Sequence, residues 1–129
     1  MYNPLAGGLL TGKYKVGQKA GANTRFATNE AYRKRYWNKP QRAAADQFSQ
    51  IAAQRGRTSV ELALRYMLDH PDVDVTLFGA TRREQIAQNL AAVASSPLGI
   101  EELGLCDEVW RKLHGPIPRY NRTNSRPGT

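Results

Sequence analysis

Residues 72–94 read DVDVTLFGATRREQIAQNLAAVA. Asp72 to Phe78 alternates and then ends in an apolar run, the pattern of a strand. Thr81 followed by Glu84 is a capping box. Ile86, Leu90 and Val93 then recur on one helical face. A strand that feeds a capped helix through Gly79 predicts an α/β protein, and the flanking sequence repeats the theme.

Upstream, Thr58 and Glu61 form another capping box. Val60, Ala63, Leu64, Met67 and Leu68 make a helical stripe that Pro71 stops after His70. Residues 42–55 suit a helix with Ala44, Ala45, Phe48, Ile51 and Ala52 on one face and Gly56 as its stop. Residues 1–6 resemble the end of a strand broken by Pro4. Residues 7–41 read as a long loop with one helical turn around Glu30–Trp37, and a loop of that length is functional or disordered. Downstream, Ser95-Ser96-Pro97 ends the second capped helix. A last helix is predicted over Glu101–Leu113 with Leu105, Val109, Trp110 and Leu113 inward, and residues 115–129 form an extended tail. Strands alternating with helices predict a parallel sheet. Such a sheet is buried on both faces, and two strands leave both edges open. The pattern is that of a piece of something larger.

A chain of 129 residues suffices for one domain. No apolar run is long enough for a membrane span, and the start lacks the basic and apolar regions of a secretory leader. The single cysteine, Cys106, excludes an intramolecular disulfide and fits a reducing compartment, so a cytoplasmic location is expected. His70 and His114 stand far apart, and no metal-ligand spacing exists.

The net charge of +8 raises the question of nucleic acid. The densest cluster, YRKRYWNK at 32–39, interleaves rings with basic groups. It fits a phosphate grip with stacked bases, a pocket for one small anion, or a solvated face, which is the commoner outcome.

Residues 4–13, PLAGGLLTGK, match G-x-x-x-x-G-K. A P-loop needs Ser or Thr next, for Mg²⁺, and a helix opening at the phosphates. Tyr14 stands there instead, and no helical pattern follows. The glycines still permit close backbone approach to a phosphate, with Lys13 as a cation. On the motif alone, a plain strand-to-loop turn is the better alternative. Gly79 to Asn89 presents a helix N-terminus with Arg82 and Arg83, able to meet an anion, or simply a capped surface helix.

PLAGGLLTGKY, TRF, YRKRYW and GATRREQIAQNL together resemble the aldo-keto reductases, nearest the aflatoxin-aldehyde (succinic semialdehyde) reductase branch, with potassium-channel β subunits as more distant relatives. The likeness covers residues 2 to about 122. It implies a single partial domain, residues 1–129: the helix-rich C-terminal part of a (β/α)₈ TIM barrel, with its last two strands, their helices, a C-terminal helix and a tail. A complete barrel takes roughly 250 residues. The resemblance implies NADP(H) as cofactor. Asn3, Pro4, Leu5, Ala6, Gly7, Gly8, Leu9, Leu10, Thr11, Gly12 and Lys13 would cover the pyrophosphate. Arg25 would touch the cofactor from the long loop. Gly79, Ala80, Thr81, Arg82, Arg83, Gln85, Gln88 and Asn89 would hold the adenosine end, with Arg82 or Arg83 at the 2′-phosphate. Tyr32, Arg35 and Arg122 would face the substrate, a small aldehyde or ketone, and the two arginines suit one bearing a carboxylate. The chain runs past Arg122 with TNSRPGT, where the branch tends to stop.

The resemblance implies reduction of an aldehyde or ketone to an alcohol by hydride transfer. The family's catalytic Tyr, Lys, Asp and His come from early strands absent here, so no catalytic residue is assigned and the chain alone is expected to be inactive. Two alternatives belong to other classes. One is a non-catalytic interaction module related to the potassium-channel β subunits, pairing through exposed strand edges or as a homo-oligomer. The less favoured is a basic nucleic-acid-binding protein.

Overall fold

The computed structural model describes residues 1–114. The predicted tail, and Arg122 with it, lies outside the described residues. A 3₁₀ segment, Ala6–Thr11, is followed by α1 (Arg25–Thr28), α2 (Glu30–Tyr36), α3 (Lys39–Gln54), α4 (Ser59–Leu68), α5 (Arg83–Ala94) and α6 (Ile100–His114).

The helices form where local chemistry favours them. Asn29 and Asn38 cap α2 and α3 through their side chains, and Pro40 sits in the first turn of α3, where it forfeits no helical hydrogen bond. The Thr58–Glu61 capping box opens α4 as expected. The main core lies between α3, α4 and α6: Phe48, Ile51, Ala52, Leu62, Ala63, Tyr66, Leu98, Cys106 and Val109. Val60, Leu64 and Ala92 join α4 to α5, with Leu5 and Phe78 against them.

Two partly buried arginines lock the connections. Arg57 donates to Glu102 (2.7 Å) and to the carbonyls of Ser96 (3.0 Å) and Pro97 (3.1 Å), tying the α3–α4 turn to the α5–α6 turn. Arg65 pairs with Asp69 and donates to the Val93 carbonyl, while Asp69 accepts from the Leu98 N–H.

Four expectations need correction. First, no strand forms among the described residues: 1–6 and 72–78 meet only at one parallel bridge, Tyr2 with Leu77. The Leu77 N–H donates to the Met1 carbonyl at 2.8 Å, and the Met1 ammonium to the Val75 carbonyl at 2.6 Å. Among the described residues no third segment flanks the pair, so the ladder does not spread, and Tyr2, Val75 and Leu77 stay exposed.

Second, residues 7–41 hold the 3₁₀ segment, two short helices and the start of α3, rather than one long loop with a single helical turn.

Third, α5 begins at Arg83 and buries Asn89 and Ala92. The predicted Ile86 and Leu90 are exposed because α5 packs chiefly on α4, through its opposite face. The Thr81–Glu84 box is replaced by Gln85, whose Oε1 accepts from the Thr81 and Arg82 N–H groups at 2.8 and 3.3 Å.

Fourth, Trp110 is half exposed, while Cys106 and Val109 fill the core from α6. No helix among the described residues is long and apolar enough to cross a membrane.

Candidate functional site

The parallel bridge orients the two glycine-bearing segments. Because Tyr2 and Leu77 pair in parallel, the segments that follow them, Asn3–Lys13 and Phe78–Asn89, leave from the same end. In open α/β sheets ligands bind outside that end of the strands.

The first segment is tightly folded. Gly7, Gly8 and Gly12 take φ of 68°, 99° and 79°, which only glycine adopts without strain. Asn3 and Ala6 also have positive φ. Asn3 is braced at both ends: its Oδ1 accepts from the Gly7 N–H (3.0 Å), and its Nδ2 donates to the Tyr36 hydroxyl (2.7 Å). The N–H groups of Ala6, Gly8 and Leu10 donate to the carbonyls of Asn3, Leu5 and Leu5. The glycines therefore permit close approach, but the Gly7 and Gly8 donors are already used. What the segment offers an anion is the open face of Gly8, with no atom within 4 Å of a built Cβ, and the exposed Lys13 ammonium, 5.0 Å from the Tyr14 ring.

The following lobe packs on this segment. Phe26 is fully buried, with Tyr14 at 5.3 Å and Trp37 at 5.0 Å between ring centres. Arg42 stacks on Trp37 at 4.3 Å and donates to the carbonyls of Lys15 (2.9 Å) and Gln18 (2.7 Å). Of the predicted residues, Arg25 and Tyr32 come together, the guanidinium lying 5.0 Å over the ring, and that ring covers Gly7. Arg35 lies 5.9 Å over Tyr36. Sequence inspection missed Arg42: the carbonyls it holds are 24 and 27 residues away, and no local pattern marks such a contact.

In the second segment Gly79 is open, and Thr81, Arg82, Arg83 and Gln88 are exposed around the start of α5. Asn89 is 3% exposed, and no group among the described residues hydrogen-bonds its side-chain amide. Arg82 and Arg83 supply positive charge beside the helix N-terminus, which favours anions. Open glycine backbone and flanking cations fit a phosphate-bearing group.

An apolar cavity of about 190 Å³ lies beneath the glycine segment, walled by Leu9, Leu10, Phe48, Tyr66, Met67 and Cys106. Its walls are wrong for phosphate. Burial, with Asp107 nearby, pushes the Cys106 thiol up to about 12, so it is no nucleophile at neutral pH. Burial and a hydrogen bond to Asp107 (2.7 Å) also raise the Tyr66 hydroxyl well above the usual phenol value. Among the described residues, no group of three His, Cys, Asp or Glu is placed to hold a metal ion.

The sequence model of the Aldo/keto reductase family matches residues 1–111. Aflatoxin B1 aldehyde reductase member 2 of Homo sapiens is 36% identical over 135 residues, a stretch covering 94% of this chain and 38% of that protein. A putative voltage-gated potassium channel subunit beta of Schizosaccharomyces pombe is 38% identical over 95 residues, covering 72% of this chain and 28% of the relative. Among solved structures, a glycerol dehydrogenase of Gluconobacter oxydans superposes with a TM-score of 0.66 at 27% identity, covering 94% of this chain and 36% of that one. The chain thus spans about two fifths of the length of the aldehyde reductase that it matches.

Proposed function

The chain belongs to the aldo/keto reductase family, and from that premise we propose that it is the nucleotide-binding, C-terminal part of a (β/α)₈ barrel that reduces small aldehydes or ketones with NADPH in the cytoplasm. The observation that carries this is the Tyr2–Leu77 bridge, which directs the glycine segment and the α5 N-terminus to one end. Active sites of such barrels lie at that end of the strands.

When bound, the nicotinamide supplies the hydride. Lys13, exposed at the end of the glycine segment, would neutralise the pyrophosphate, with Arg25 reaching in from α1. Arg82 and Arg83 would meet the 2′-phosphate at the N-terminus of α5. Gln85, Gln88 and Asn89 would face the adenosine end. Tyr32 and Arg35, on α2, would face the substrate, and Arg35 with Arg122 would attract a carboxylate. Binding and orientation are this chain's share. Proton delivery belongs to the family's Tyr, Lys, Asp and His, so the chain alone is proposed to be inactive.

A second role is favoured by one observation. Tyr2, Val75 and Leu77 expose apolar side chains along an open parallel edge, a surface suited to pairing with another polypeptide.

Thermal unfolding by far-UV circular dichroism, with and without excess NADP⁺ or NAD⁺, tests the main proposal. At ligand near 100 Kd the folded form gains about 2.7 kcal/mol. A transition raised by NADP⁺ more than by NAD⁺ is expected. A cooperative transition indifferent to both nucleotides would sink the nucleotide assignment.

A further inference from the structure

One stretch of this chain carries a charge equal to the chain's whole net charge. Residues 13–42 carry nine Lys and Arg against one carboxylate, Glu30, while the rest of the chain holds ten of each sign. The whole +8 therefore belongs to the lobe that packs on the glycine segment. Lys13, Lys15, Lys19, Arg25, Arg33, Lys34, Arg35 and Lys39 are all exposed. Lys34 pairs with Glu30 at 2.9 Å, and Arg42 is held by carbonyls, which leave its charge in place.

The rings of the lobe are occupied by its own structure. Phe26 is fully buried, and Tyr14 meets Trp37 edge-on at 5.0 Å. Arg42 covers Trp37, Arg25 lies over Tyr32, and the Tyr36 hydroxyl is bonded to Asn3. Strand-tracking nucleic-acid surfaces need free aromatic faces on which successive bases stack. This lobe spends its rings on holding itself together and turns its cations outward, as suits attraction of a small, highly charged anion.

Resting on the nucleotide reading above, we propose that the 13–42 lobe is an electrostatic guide that draws phosphate-bearing nucleotides to the glycine segment and favours NADPH over NADH at the encounter step. A 2′-phosphate adds roughly 1.5–2 negative charges near neutral pH. A one-signed surface raises association rates by about 10- to 1,000-fold, and salt removes the effect.

Stopped-flow binding of NADPH and NADH to the full chain, at ionic strengths from about 0.02 to about 0.5 M, is the test. The comparison variant is Lys19→Glu/Arg33→Glu/Lys39→Glu, three exposed positions outside the proposed nucleotide contacts. For the wild type, the NADPH association rate should fall about tenfold across the salt range, and the NADH rate by less. The triple variant should lose a similar factor at low salt, with dissociation changed less than twofold. If the variant fails to fold, the wild-type salt series decides alone. NADPH binding with a salt-independent association rate overturns the guide and leaves the nucleotide site standing. No NADPH binding at any salt overturns the reading beneath it, and the guide with it. Tight, salt-sensitive capture of a single-stranded oligonucleotide, with no nucleotide binding, would make the lobe a nucleic-acid surface instead.

Discussion

Gly7 lies directly beneath the ring of Tyr32: a Cβ built at Gly7 would stand 2.6 Å from Tyr32 Cδ1, inside any real contact. The glycine also has φ of 68°. Gly7→Ala should therefore destabilise through strain and overpacking, by about 2–4 kcal/mol in urea denaturation. Gly8→Ala meets open space and should cost only about 1 kcal/mol of backbone strain. Adding Tyr32→Ala to Gly7→Ala should recover part of the loss. Equal costs at the two glycines would contradict the packing described.

Arg42 ties the lobe shut. Arg42→Ala removes two hydrogen bonds and the stack on Trp37, a loss of about 1–3 kcal/mol for the lobe. Limited trypsinolysis should show faster cleavage after Lys15 and Lys19, with Trp37 fluorescence shifted to the red. Unchanged cleavage would show that the aromatic cluster suffices.

The Arg57 guanidinium, hydrogen-bonded to Glu102, holds that carboxyl below the ordinary glutamate value; burial opposes this, and the Gly99 N–H assists. A lowered folded-state value means the contribution is complete above the unfolded-state pKa, about 4.3. It disappears as the pH falls through the folded value. Melting temperatures of wild type and Glu102→Gln should thus differ most at neutral pH and converge as the pH drops from about 5 to about 2. A gap that stays constant across that range would rule the pair out as an acid-sensitive brace.

Cys106 should be silent until the protein opens. With its thiol near 12 and only 1% of the residue exposed, labelling by a disulfide reagent at pH 8 should be on the order of 1,000-fold slower than in denaturant. Fast labelling of the folded chain would mean that the cavity wall opens readily.

What the sequence disclosed follows the range of the forces involved. The Thr58–Glu61 box lies within one helical turn and was visible, as was the α4 stripe of Val60, Ala63 and Leu64. Family membership was visible too, because glycine and basic residues mark its segments. The strand over 72–78 was predicted from alternation, but a ladder needs partners, and only Tyr2 reaches it. Ile86, Leu90 and Trp110 read as core because they are apolar at helical spacing. Burial also requires a facing element, and α5 packs chiefly on α4. Arg42 and the Asn3–Tyr36 bond join residues far apart in sequence, so no local pattern carries them.

The uneven charge sets a colloidal balance. Exposed Tyr2, Val75, Leu77, Ile86 and Leu90 should favour self-association of the purified chain, and repulsion between like-charged 13–42 lobes should oppose it. That protection weakens in concentrated salt, and it vanishes near the isoelectric point of about 10.0. Alkaline buffers should therefore precipitate this protein, and it should be handled at neutral pH and low ionic strength.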